Sequence, residues 1–348
     1  MEIEHTKSLI KAFQYRTLTH HAKPHLLEHY QRDSDNVYLI FDPSFSKKIL
    51  ISRAFISFNY FQPGLDRASE NNRPLKWMQS YFDSSLLFMN GEEHRLDKKT
   101  LIQLTNQLET LLLEWQPRLD MYFYKRRHSI NSAIELSQKI TRICLGIIIS
   151  RLLSISLRRV LKCIDIRENI WFVWFHPSRQ VAMDKALEYL YQGEELSSDR
   201  SDPAYFSHQL VQSLIVMGYD PLVGSMCASM SYKEKTCFAS DSYRICPTSF
   251  VSRVCKEPIQ INGLDFKTGD ICFTSLVPGA DQAENESSSK SLAYGSGPHI
   301  CIGKSLSLTI LKMAQSIHEK HFSSGFKHNS AISPDGAFLS FRDEASAL

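Results

Sequence analysis

The residues best suited to chemistry lie in the stretch Tyr294-Gly295-Ser296-Gly297-Pro298-His299-Ile300-Cys301-Ile302-Gly303. A helical pattern follows at once, with Leu306, Ile310, Met313, Ala314 and Ile317 on one face. Cys301 therefore falls at or just before a helix N-terminus. Amide N–H groups and the positive end of the helix dipole favour thiolate over thiol there. Glycines at 295, 297 and 303 let backbone approach a large, flat group without Cβ clashes. A thiolate so placed can ligate a haem iron and push electron density onto it. The plainer alternative is a buried, inert cysteine beside a glycine-rich turn.

Written as aromatic-Gly-x-Gly-x-His-x-Cys-x-Gly, this loop resembles the haem-ligand loop of the cytochrome P450 family. The matching positions are Tyr294, Gly295, Gly297, His299, Cys301 and Gly303, with Tyr294 where the family more often has Phe. The resemblance implies haem b as cofactor, Cys301 as its metal ligand, and Gly295, Gly297, His299 and Gly303 around it. It extends to the stretch from Leu86 to Lys99, where His94 and Lys98 stand four apart and share a helix face. The family places a His and a basic residue here to hold the haem propionates by charge-assisted hydrogen bonds. It usually has Arg at the second position, whereas Lys98 offers a point charge and no fork. Two solvated helix charges are the bland alternative. Arg253, in Phe250-Val251-Ser252-Arg253, resembles the family's strand arginine, which also meets a propionate.

The same resemblance reaches the long apolar pattern from Ser207 to Met230, read as the helix that crosses over the haem. Gly218-Tyr219-Asp220 matches the family's Gly-x-acid, but Pro221 stands where the family has Thr. Proline donates no proton, removes a backbone N–H and kinks a helix. Asp220 is the candidate catalytic acid, relaying protons through water, with bonding to freed backbone groups as the alternative. Asp241-Ser242-Tyr243-Arg244, followed by Pro247, resembles the family's Glu-x-x-Arg-x-x-Pro with a shorter acid. The intervals on either side of it are short for the family. The polar stretch 281–291 replaces a longer meander, and no Arg lies between Arg253 and Arg342.

Several elements must position these residues. Residues 1–35 read as polar and helical. Asn36 to Phe41 reads as a strand closed by Asp42-Pro43, with Asp42 or Ser44 capping a short helix. The aromatics Phe55, Phe58, Tyr60 and Phe61 either line a substrate pocket or fill core gaps. Leu101 to Leu113 and Ser132 to Leu153 read as core helices. Trp171 to Phe175 faces substrate or packs. Ile259 to Leu264 and Phe266 to Phe273 read as short strands joined by Asn-Gly and Thr-Gly-Asp turns. Phe338 to Phe341 reads as a late strand.

The chain has 348 residues, 43% hydrophobic and 22% charged, with a net charge of +3, too small to suggest a nucleic-acid partner. Its eight cysteines form no C-x-x-C pair, which argues against zinc or iron–sulfur ligation, and their scatter reads as reduced thiols. The first residues look like neither a signal peptide nor an anchor, and the most apolar run, Ile143 to Leu153, is too short to span a bilayer. Asn285-Glu286-Ser287 matches a glycosylation sequon that nothing else supports. The expectation is a cytoplasmic, bacterial-type protein with one haem-thiolate domain over 1–348. Its class is mainly α with a small β region at about 36–60 and 250–275, truncated between the distal helix and the Cys loop. The resemblance implies a monooxygenase acting on a small organic substrate. Electrons would come from a ferredoxin or flavodoxin meeting Arg95, Lys99 and Lys304; no membrane is involved. Peroxide use, a rearrangement, dehydration or coupling, and a non-catalytic haem-binding role are the alternatives.

Overall fold

Strand Asn36–Ile40 shows how the sheet sits in the molecule. Side chains alternate across a strand, so Val37 and Leu39 join the main helical core while Tyr38 and Ile40 join a second cluster with Phe45, Ile49, Phe55 and Phe266. Both faces are covered, which is why this segment is a continuous apolar run rather than an alternating one.

The computed structural model describes residues 27–32, 35–57, 62–70, 74–167, 177–192, 197, 199–231, 248, 250–276, 292–327, 330–333 and 340–343. In chain order its elements begin with β1 (Leu27–Arg32), β2 (Asp35–Ile40), α1 (Pro43–Ile51), β3 (Phe55–Ile56), α2 (Gln62–Glu70), α3 (Lys76–Ser84) and α4 (Gly91–Arg126). Next come α5 (Ala133–Leu153), α6 (Leu157–Ile166), α7 (Pro177–Tyr191), α8 (Pro203–Ser213), a π-helical turn (Leu214–Gly218) and α9 (Tyr219–Ser231). The remainder is β4 (Phe250–Cys255), β5 (Ile259–Ile261), β6 (Leu264–Phe266), β7 (Ile271–Ser275), α10 (Lys304–His321), β8 (Ser330–Ser333) and β9 (Ser340–Asp343).

Five strands form one sheet in the order β1-β2-β7-β4-β3. The β2–β7 pair is parallel, with Val37 opposite Ile271, and β4 runs antiparallel to β7, with Arg253 opposite Cys272. Strands thus fall in both regions expected from sequence, and β8–β9 adds a separate hairpin. One expectation is overturned: residues 27–32 are a strand, not helix, pairing with β2 from Leu27↔Ile40 to Arg32↔Asp35. Polar composition suited either state, and β1 is the sheet edge, where charged residues are favoured.

The helices carry the rest. Asp42, not Ser44, caps α1, accepting from the Phe45 N–H at 2.5 Å. Ser132 caps α5 by accepting from the Glu135 N–H at 3.2 Å, and the Glu135 carboxylate reaches back one residue beyond the cap to accept from the Asn131 N–H at 2.9 Å. Helix α4 runs well past Leu113 and through Pro117. The carbonyl that Pro117 leaves without a donor belongs to Leu113, itself 56% exposed, where water can take its place. Trp171–Phe175, Asp241–Arg244, Pro247, the sequon at 285–287 and Phe338–Leu339 lie outside the described residues.

Candidate functional site

Helix α8, the π turn and α9 form one continuous rod, starting at Pro203 behind the N-cap Asp202. By length and composition Pro203–Met230 is the one described helix apolar enough to cross a membrane. Its most apolar window is 61% buried within the protein, packed against α5. Sequence predicts a kink at Pro221; what appears is the π turn just ahead of it. A wide turn displaces the carbonyl that the proline ring would strike, and leaves other carbonyls without helical donors. Arg167, at the end of α6, supplies one: its Nε donates to the Ile215 carbonyl at 3.2 Å. The same guanidinium pairs with the Asp220 carboxylate, both side chains being largely buried, and stacks over Tyr219 at 4.3 Å. Arg167 left no signal in the sequence, because only the folded chain brings it to Asp220.

Across from this rod stands the cysteine loop. Gly297–His299 forms a 3-10 turn, the Cys301 N–H donates to the Tyr294 carbonyl at 2.8 Å, and α10 starts at Lys304 with Gly303 as N-cap. Gly295 and Gly297 both take positive φ, 75° and 70°. A Cβ on Gly297 would lie 2.6 Å from the Leu50 carbonyl oxygen and 3.0 Å from the Ile51 Cα. Its glycine is therefore demanded by α1, packed behind the loop. Clearance for a cofactor, the sequence-based reason, is not what its nearest neighbours show. Gly303 has φ −82°, and a Cβ there would meet only Cys301 Sγ at 3.8 Å and Ser307 Oγ at 3.9 Å.

Between loop and rod lies a cavity of about 300 Å³. Cys301 opens onto it, as do His94, Lys98, Arg253 and His299, which sequence analysis grouped together. Helix α4 presents His94 and Lys98 on one face. The His94 ring packs on His299 with centroids 4.3 Å apart, and Lys98 Nζ donates to the carbonyls of Pro298 at 2.5 Å and Ile300 at 2.9 Å. Strand β4 delivers Arg253, 4% exposed, with one guanidinium nitrogen on the Ser252 carbonyl at 2.7 Å. His299 Nδ1 is buried with no hydrogen-bond partner among the described residues. Of the named site residues, two are not among the cavity's lining: Gly297, which packs against α1, and Asp220, which turns to Arg167 while its neighbours Gly218 and Pro221 line the cavity. The distal wall is apolar, with Leu210, Leu214, Met217 and Leu222, broken by the hydroxyls of Ser213 and Ser225.

The electrostatics follow from this crowding. Burial, then the positive charges of Lys98 and Arg253, push His94 down to about 4. Burial and the same cations push His299 down to about 3. Burial also lowers Lys98. The Cys301 thiol is pushed up by burial, although the Gly303 N–H, Lys98 and Lys304 pull the other way. Burial thus opposes the pull of the helix start on the sulfur, and a bound cation would favour the deprotonated form.

The roof of the cavity is held from a distance. Helix α3, which contributes Tyr81, has no side-chain cap of its own. The carboxylate of Asp184, on α7 and 1% exposed, accepts from the backbone N–H groups of Trp77 at 2.8 Å and Met78 at 3.0 Å. Trp77 in turn stacks on Tyr191 of α7 at 5.1 Å. Sequence gave no hint of this cap, since its two halves are 106 positions apart.

The cavity residues fit a haem. Four basic side chains and a thiol share it, and no carboxylate is among its described lining residues. Basic side chains on an apolar cavity suit an anionic guest by charge-assisted hydrogen bonds. A flat, largely apolar group with two carboxylates and a thiolate-seeking metal answers both the cations and the apolar walls.

No protein-family model matches the chain, and no curated protein aligns with it significantly. Solved structures do match. P450BioI, in complex with an acyl carrier protein ligated to hexadec-9Z-enoic acid, superposes with a TM-score of 0.70 at 12% identity, over 98% of each chain. Epothilone D-bound cytochrome P450epoK gives 0.70 at 12% identity, covering 97% of this chain and 96% of that one. The Bacillus subtilis 168 bacillaene polyketide synthase cytochrome P450 PksS gives 0.64 at 13%, covering 97% and 94%. The chain has the cytochrome P450 fold, mainly α with small sheets.

Proposed function

We propose that the protein is a haem-thiolate oxidoreductase that oxygenates a small organic substrate, with Cys301 as the axial ligand of haem b. The observation that carries this is the cavity's inventory: one thiol, four basic side chains and no carboxylate among its described lining, against apolar walls. When bound, the haem supplies the redox and oxygen chemistry, tuned by its thiolate ligand. Arg253 and Lys98 offer charge to its carboxylates, and the open Nδ1 of His299 accepts or donates a further bond. Leu214, Met217 and Leu222 exclude water and seat an apolar substrate, while the Ser213 hydroxyl can orient a polar group on it. Gly295 and Gly303 keep the loop backbone slim beside the cofactor.

One observation favours a second reading within the same cofactor chemistry. Asp220 is tied to Arg167, and Pro221 offers no hydroxyl. We read Asp220 as bracing the π turn rather than handing protons to the haem face. Peroxide use, or a coupling or rearrangement that needs no such proton supply, fits that arrangement. A structural neighbour described as forming a C–S bond in chuangxinmycin biosynthesis, TM-score 0.58 at 14% identity, shows that this fold accommodates coupling chemistry.

The proposed protein is a single domain over 1–348, cytoplasmic, fed by a ferredoxin- or flavodoxin-type donor near Arg95, Lys99 and Lys304. The carrier-protein complex of P450BioI makes a carrier-tethered substrate a further candidate. The test is the reduced carbon monoxide spectrum. Wild type should give the red-shifted thiolate band and Cys301→Ala should lose it. Absence of the band in wild type, or its persistence in the variant, overturns the proposal. Turnover with reductase and oxygen against peroxide alone separates the two readings.

A further inference from the structure

Lys98 does something that its place in the cofactor clamp does not require. Its ammonium is half-buried and donates to the carbonyls of Pro298 and Ile300, the two residues flanking His299, the second of which directly precedes Cys301. The partners are 200 and 202 positions away in the chain. One helical turn earlier on α4, His94 lies against His299 itself. A single helix face therefore holds the loop at three consecutive residues. Among the described residues the loop has other ties as well: Cys301 N–H to Tyr294 and Ile300 N–H to Gly297 within it, Gly297 against α1 behind it, and His299 to the Leu86 backbone.

Resting on the haem-thiolate reading, we propose that Lys98 is a positioning residue for the cysteine loop: it tethers the Pro298 and Ile300 carbonyls and so sets Cys301 in its ligand-ready place before any cofactor arrives. The residue type fits that task. An ammonium carries three donors on a flexible stem and can aim two of them at converging carbonyl oxygens, whereas the rigid guanidinium fork matches the two oxygens of one carboxylate. The lysine where the resemblance leads one to expect arginine thus reflects a different acceptor. The third N–H is left for a carboxylate, so tether and clamp are compatible.

Two variants test this, Lys98→Met, which keeps the stem and loses the donors, and Lys98→Arg, which keeps the charge and changes the geometry. The first readout is backbone amide hydrogen exchange of residues 297–303 in cofactor-free protein, with α5 amides as the internal reference. Lys98→Met should speed exchange in the loop about 10- to 100-fold while α5 is unchanged. Lys98→Arg should restore protection only partly. The second readout is the fraction of haem-loaded protein that lacks the thiolate band, which should rise in Lys98→Met. If loop exchange is unchanged in Lys98→Met and only haem affinity falls, Lys98 is a carboxylate clamp and the tether is wrong. If Lys98→Arg protects the loop as well as lysine does, the argument from geometry is wrong. Should wild type bind no haem, the functional reading fails, yet the exchange experiment still decides the tether.

Discussion

Replacing Gly297 by alanine separates two reasons for a glycine in the cysteine loop. Its φ of +70° lies in the left-handed region, which costs an L-residue about 1–2 kcal/mol. The new Cβ would also lie 2.6 Å from the Leu50 oxygen and 3.0 Å from the Ile51 Cα, both backbone atoms of α1 that no rotamer change can move. Loop or helix must shift by several tenths of an ångström, adding about 1–3 kcal/mol by comparison with overpacked cores. The sum is about 2–5 kcal/mol. At roughly 2.1 cal/mol/K per residue, a chain of 348 residues loses about 1.4 °C of Tm per kcal/mol, so the expected fall is about 3–7 °C. Gly303→Ala is the control. Its φ is ordinary and its nearest contacts are at 3.8 and 3.9 Å, so only the poorer N-cap counts and its Tm should fall by no more than about 2 °C. Calorimetry of the cofactor-free proteins reads both. If Gly297→Ala melts with wild type but no longer takes up haem, the glycine exists for cofactor clearance and the α1 contact is incidental.

Three further outcomes are expected. Asp184→Ala removes the remote cap of α3 and should cost about 1–3 kcal/mol in urea unfolding; an unchanged midpoint would contradict the capping role. Arg167→Met breaks the largely buried ion pair with Asp220 and should cost about 3–5 kcal/mol, part of it recovered in Arg167→Met/Asp220→Asn; a double variant as unstable as the single one would exclude the pair as the cause. The cofactor-free protein should lose stability as pH falls from 6.5 towards 4. The unfolded chain protonates His94 near 6.5 while the folded chain waits until about 4, so acid favours unfolding, by up to about 3 kcal/mol at pH 4. His94→Gln should flatten that slope between pH 4.5 and 7, and an equal slope in the variant would assign the effect elsewhere.

What could be read from the sequence was whatever is local. The Gly-x-Gly-x-His-x-Cys spacing placed a cysteine at a helix start, and the four-residue step from His94 to Lys98 put two bases on one face, because those relations are fixed by turn and helix geometry. Arg253 was grouped with them only through the family resemblance; its place on the cavity comes from the pairing of β4 between β7 and β3, which is tertiary. What could not be read was tertiary. The polar run at 27–32 became an edge strand through pairing with β2, Asp184 found its two donors across a helix packing, and Arg167 met Asp220 only after the π turn formed. The π turn itself is a compromise between Pro221 and a helix that must continue, and periodicity alone does not show where such a compromise falls.

The acid-free lining of the cavity has a consequence for how the protein meets its surroundings. Lys98 and Arg253 open onto a largely apolar chamber whose described lining holds no carboxylate. Such a chamber selects by charge before it selects by shape. Multivalent anions in the medium, phosphate or citrate, are competitors for it, while simple salt at equal ionic strength competes far less. Cofactor uptake should therefore depend on which anion is present, and a neutral diester of the same porphyrin should be a poor guest despite its identical ring.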